Sequence, residues 1–224
     1  MRAVWLALAS AALAAGARGE SGPVLGVDYS NFRQTVSHWT MTLHPDGSGH
    51  FRSEQGSAAG EAAQVIMTPD VDREIRVSGE FARRVFEAAR QQRLFNGDCE
   101  SHLKVAFQGW KKLSYSGPEG QWGCEFNFAK DKEMEELGNS LVAVADTILE
   151  GARLETLLLH DRLGLDNETE YLMEAAGNGQ VKEIIAIRGI LERLAEDPEV
   201  MERVRKRARM LLASVGIKGI GSRE

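Results

Sequence analysis

The spacing of apolar residues changes along this chain, and that change limits the fold more than any other feature of the sequence. Between residues 35 and 128 apolar side chains recur mainly at every second position, the period of a strand with one buried face. From residue 131 they recur at every third or fourth position, the period of a helix buried along one side. An antiparallel sheet with packed helices, followed by a small all-helical C-terminal module, satisfies both patterns, so the expected class is α+β.

The strand signal is sharpest around Pro45-Asp46-Gly47. Trp39, Met41 and Leu43 alternate with His38, Thr40, Thr42 and His44 before the turn. Proline presets φ at the first turn position, and glycine takes the left-handed one. A type I turn with a glycine bulge then pairs Met41 with Phe51, Trp39 with Ser53, Thr42 with His50 and His38 with Glu54, which keeps the apolar faces together. Further strands are expected over Ala62–Thr68, Val71–Val77, Leu103–Phe107, Lys111–Ser116 and Trp122–Phe128. One helix interrupts them over residues 79–93, capped by Ser78 and carrying Phe81, Val85, Phe86 and Ala89 on one side.

A long helix is expected from Asp131, with acidic residues in its first turn as the helix dipole favours, running through Gly151. Asn167 with Glu170 resembles a capping box for the next helix, and Gly177-Asn178-Gly179 stops it. Val181, Ile184, Ile185, Arg188, Leu191 and Leu194 line a further helix, and Asp197-Pro198 opens the last one. In that last helix Val204-Arg205, Ala208 and Leu212 have the spacing of the second helix of a HEAT repeat. The segment resembles that family over about twenty residues, and the resemblance implies a surface for partner recognition. Residues 166–196 do not repeat the pattern.

At the N-terminus Arg2, the apolar run Val4–Ala14 and the small triplet Ala15-Gly16-Ala17 have the order of an export signal cut after Ala17. A membrane anchor is the other reading, but the run is short of the roughly twenty residues that span a bilayer. The expected organisation is therefore a signal peptide over 1–17, a flexible leader over 18–34, an α+β domain over 35–150, a helical module over 151–218 and a tail over 219–224. The chain has 27 basic and 33 acidic residues, and loss of Arg2 with the signal takes the formal charge from −6 to −7. That balance argues against bulk nucleic-acid binding. Cys99 and Cys124 are the two cysteines, and in an oxidising compartment they are expected to pair. The Ala/Arg/Gly-rich composition suits a bacterial exported protein, periplasmic or secreted.

Chemistry-bearing motifs are sparse. In the register above, His38, His44 and His50 share the outer face of the hairpin, with His44 diagonal to His50 at about 7–8 Å between backbones. That spacing admits a shared transition metal, against the plainer reading of a solvated polar face. Ser37 and His38 are adjacent on a strand and point to opposite faces, so they do not form a nucleophile and its base. No nucleophile elbow, zinc-protease or phosphate-loop motif is present, so no catalytic residue is assigned and no cofactor is implied. Arg203, Arg205, Lys206, Arg207 and Arg209 make the last helix basic, either a weak contact for an anionic surface or cations that complement the helix dipole. The expected function is an exported, non-enzymatic binding module whose partner is another protein or an envelope component, with Trp110, Tyr115 and Trp122 among the contact residues. The alternative is a periplasmic hydrolase or metal-dependent enzyme with a site assembled from distant residues.

Overall fold

The structure is a computed structural model that describes residues 22–55 and 69–218. Six strands form one antiparallel sheet: β1 (Val24–Ser30), β2 (Val36–Leu43), β3 (Ser48–Gln55), β4 (Val71–Arg76), β5 (Trp110–Gly117) and β6 (Gly120–Phe126), in the spatial order β4-β3-β2-β1-β5-β6. Two helices, α1 (Gly79–Gln91) and α2 (Lys132–His160), cover one face of it. No helix among the described residues covers the other face. Three further helices follow: α3 (Gly164–Asn178), α4 (Arg188–Glu196) and α5 (Glu202–Lys218). The class is α+β, as the change of period requires.

The hairpin register is the expected one. Met41 faces Phe51, Trp39 faces Ser53, Thr42 faces His50 and His38 faces Glu54. The same alternation runs across the sheet, so Leu25, Val27, Tyr29, Trp39, Met41, Leu43, Phe51, Leu113 and Phe126 are buried beneath the helices. Ser78 caps α1 by accepting the Phe81 N–H at 3.1 Å. Asp131 caps α2 by accepting from Glu133 and Met134. As expected, α2 does not stop at Gly151, and it serves two apolar clusters: residues up to Ala152 pack on the sheet, and residues from Leu154 pack among α3, α4 and α5.

Several expectations are corrected. Residues 18–34 do not form a flexible leader from Gly22 onward, because Val24–Ser30 is an inner strand paired with β2 on one side and β5 on the other. Leu25, Val27 and Tyr29 point inward there, an alternation that the surrounding glycines and short polar residues obscure in the sequence. Leu103–Phe107 is not a strand. The place beside β5 is filled by β1, and the segment is an irregular loop with Leu103 and Val105 exposed. Asn167 does not cap α3, which begins three residues earlier, where the Gly164 N–H is accepted by Asp161. The helix expected from residue 181 is a short 3₁₀ turn over Ile184–Ile187 followed by α4, and Asp197-Pro198 makes a turn four residues ahead of α5. The export signal with its cut after Ala17, the strand expected over Ala62–Thr68 and the tail over 219–224 lie outside the described residues.

Close helix packing supplies a stability prediction. A Cβ added at Gly151 of α2 would strike the Ile187 side chain, which the 3₁₀ turn presses against that helix. Alanine is a better helix former than glycine by about 1 kcal/mol, whereas overpacking a filled interior costs about 1–3 kcal/mol. Gly151→Ala is therefore expected to lower the urea midpoint despite the gain in propensity. An unchanged or raised midpoint would show that Ile187 yields freely.

Candidate binding surface

The lower end of the open sheet face carries a cluster of exposed rings. It starts from Asn31, a buried polar residue just after β1. Its side-chain oxygen accepts the Arg33 N–H at 3.0 Å and its main-chain N–H donates to Ser37 O at 2.8 Å, which folds residues 31–36 into a tight turn. Its amide nitrogen donates to Gln108 O at 3.3 Å and to the Tyr29 hydroxyl at 3.2 Å, and that hydroxyl donates to Gln108 O at 3.0 Å. The turn after β1 and the loop before β5 are thus tied at one point. From the other side, the Asn127 side chain accepts the Gln108 N–H at 2.6 Å, and Glu100 accepts the Asn127 N–H at 2.7 Å. The Cys99–Cys124 disulfide, with its Cα atoms 5.8 Å apart, anchors the start of the same loop to β6.

This scaffold presents Phe32, Phe107 and Trp110. The Phe32 and Phe107 rings stack with centroids 5.2 Å apart, and Trp110 meets Phe107 edge-on at 6.2 Å. The Arg33 guanidinium lies over both phenylalanines, at 5.6 and 5.8 Å from their centroids. Phe32 is 70% exposed and Trp110 is 41% exposed, so the rings face solvent after folding is complete. With Ser30, Ser37 and His38 they line a shallow groove of about 500 Å³. Of the aromatic residues expected at a surface, only Trp110 is strongly exposed. Tyr115 is buried, bonded to Glu119 and pushed to about 12 by burial, and Trp122 is half-buried beside it.

Of the three hairpin histidines, His38 and His50 lie on the outer side of the two strands, and His44 stands past the end of β2. His38 lies 3.1 Å from Asp28 and 3.8 Å from Glu54, His50 lies 2.8 Å from Asp72, and His44 stands at the turn. Among the described residues no three His, Cys, Asp or Glu side chains are grouped so as to hold a metal ion. His38 and His50 act here as partners of surface carboxylates.

The basic cluster of α5 is largely paired within the protein. Arg203 and Arg207 both bind Asp166, the latter at 2.7 Å, and hold its carboxyl below the usual range. Arg205 and Arg209 bind Glu202, and Arg207 also reaches Glu170. Arg203 and Arg207 thus fasten α5 to α3, whereas Arg205 and Arg209 pair within α5 itself. In the sequon Asn167-Glu168-Thr169 the Asn167 side chain is exposed, while Thr169 is fully buried and donates to Leu165 O at 2.8 Å.

No known protein-family model matches the chain, and no curated protein matches its sequence. Among the described residues no helix is long and apolar enough to cross a membrane.

Proposed function

We propose that this is an exported, non-enzymatic binding protein that engages a protein partner through the ledge formed by Phe32, Phe107 and Trp110. One observation carries the reading: Phe32 and Trp110 remain exposed beside a groove, each in contact with the half-buried Phe107 between them, with Arg33 over the two phenylalanines and a hydrogen-bond network beneath. Isolated exposed apolar residues are ordinary, but a contiguous group with polar surroundings marks a contact surface. Tryptophan and arginine are also the residue types that dominate binding energy at protein interfaces. The polar groups beside the ledge suit a protein partner, since His38 in the groove lies against the Asp28 and Glu54 carboxylates. The N-terminal apolar run and the disulfide support export.

A photo-crosslinking residue placed at position 32 in the full chain, in cells that produce it, tests this directly. Position 87 on the exposed side of α1 is the control. One protein adduct specific to position 32 is the expected result. Equal labelling at both positions, no adduct, or only a self-adduct would overturn the reading.

A further inference from the structure

The seam between α2 and α3 contains more carboxyl groups than cations. Asp146 and Glu150 stand one turn apart on α2, Glu168 is buried on α3, and among the described residues Arg153 is the one cation that reaches them. The Arg153 Nε lies 2.9 Å from a Glu168 oxygen without the alignment of a hydrogen bond. The Oε2 atom of Glu150 is buried with no hydrogen-bond partner, while the Glu150 and Glu168 carboxyls are within hydrogen-bonding reach of each other. Two carboxylates cannot bond to each other, because each only accepts. A carboxylic acid and a carboxylate can.

We propose that this seam is a proton-operated latch: one proton shared by Glu150 and Glu168 holds α3 against α2, and its loss sets two carboxylates against a single Arg153 and loosens α3. Among the described residues the facing groups come from three elements. From α2 come Asp146, Glu150 and Arg153, from α3 come Glu168 and Tyr171, and from β1 the Tyr29 hydroxyl lies within electrostatic reach of Asp146. Burial raises Glu150 well above the ordinary glutamate range, and the Glu168 carboxyl raises it further. Burial also takes Asp146 to about 6. A carboxyl raised in the folded state holds its proton more tightly there than in the unfolded chain. Its contribution to stability is therefore full below the ordinary carboxyl pKa and declines as pH rises toward the folded value. For Asp146 the decline falls between about pH 4 and 6, and for Glu150 it extends higher.

Carboxyl-carbon NMR of the full chain, run from about pH 4 to pH 10, tests the latch. The wild type is expected to show Glu150 holding its proton at least about 100-fold more tightly than a free glutamate does. The α3 amide resonances should move with the same midpoint. In Glu150→Gln, which keeps the shape and still donates to Glu168, the upper step and the α3 movement should both vanish. Glu150 losing its proton at ordinary pH would overturn the proposal. So would a raised Glu150 step with a still α3, or α3 movement that survives in Glu150→Gln.

Discussion

Replacing Lys111 with methionine is expected to lower the free energy of unfolding by about 3–5 kcal/mol, the usual effect of removing one partner from a buried ion pair. Lys111 sits on the inner face of β5 and is 3% exposed. Its ammonium donates to Glu135 Oε1 and to Asn127 O, both at 3.3 Å, and lies 5.3 Å from the centre of the Phe126 ring. The other Glu135 oxygen accepts the Ala129 N–H at 2.7 Å, so the pair joins β5, the chain after β6 and the first turn of α2. Gly138, one turn along, leaves room for this, since a Cβ there would press on Phe126 and on the Lys111 stem. Methionine fills the volume but leaves Glu135 facing an apolar interior without its cation. Lys112→Met, on the exposed outer face, is the control and should change stability by no more than about 0.5 kcal/mol. Equal urea midpoints for the two variants would show that the buried pair does not fasten α2. The double variant Lys111→Met/Glu135→Leu should recover part of the loss, because no buried charge is then left alone.

Loss of the disulfide is the second large effect. Cys99 and Cys124 are 25 residues apart, and closing a loop of that length is worth about 3 kcal/mol by the chain-entropy account. The Cys99→Ser/Cys124→Ser variant should therefore unfold at a clearly lower denaturant concentration. The wild type should follow it when treated with a thiol reductant, with the m-value separating a changed native state from a changed unfolded one. The bond also sets the start of the loop that carries Phe107, so the ring contact between Phe107 and Trp110 should weaken, read from Trp110 emission. A variant that keeps the wild-type midpoint under both conditions would contradict this account.

Much of the fold can be read from the sequence wherever a single local signal is strong. The hairpin from His38 to Glu54 is one such place, because the turn chemistry of Pro45-Asp46-Gly47 and the alternation on both sides specify one register between them. The length of α2 is another, since its stripe continues past Gly151. β1 is harder, because Gly26, a residue that suggests a loop, sits inside the strand, where its missing Cβ leaves room for Ser114 Oγ. Leu103, Val105 and Phe107 do alternate, and only the presence of β1 beside β5 denies them a place in the sheet. Lys111 could have been found, as it shares its strand face with Leu113 and Tyr115 and so has to point inward. The ledge could not, because Phe32 and Phe107 are distant in sequence and meet through Asn31 and the Gln108 carbonyl. The α2–α3 seam is hidden for the same reason: Asp146, Glu150 and Arg153 look like the polar side of a helix until Glu168 is packed against them.

The claim that the ledge serves binding and not folding can be measured in one variant. Phe32→Ser/Trp110→Ser removes two exposed rings and leaves the buried network of Tyr29, Asn31 and Gln108 in place. Its unfolding free energy should stay within about 0.5 kcal/mol of wild type. Its affinity for the partner captured at position 32 should fall by at least about tenfold, the effect of losing roughly 1.4 kcal/mol of contact energy. Unchanged affinity, or a loss of stability of several kcal/mol, would contradict the account and return these rings to the packing of the fold.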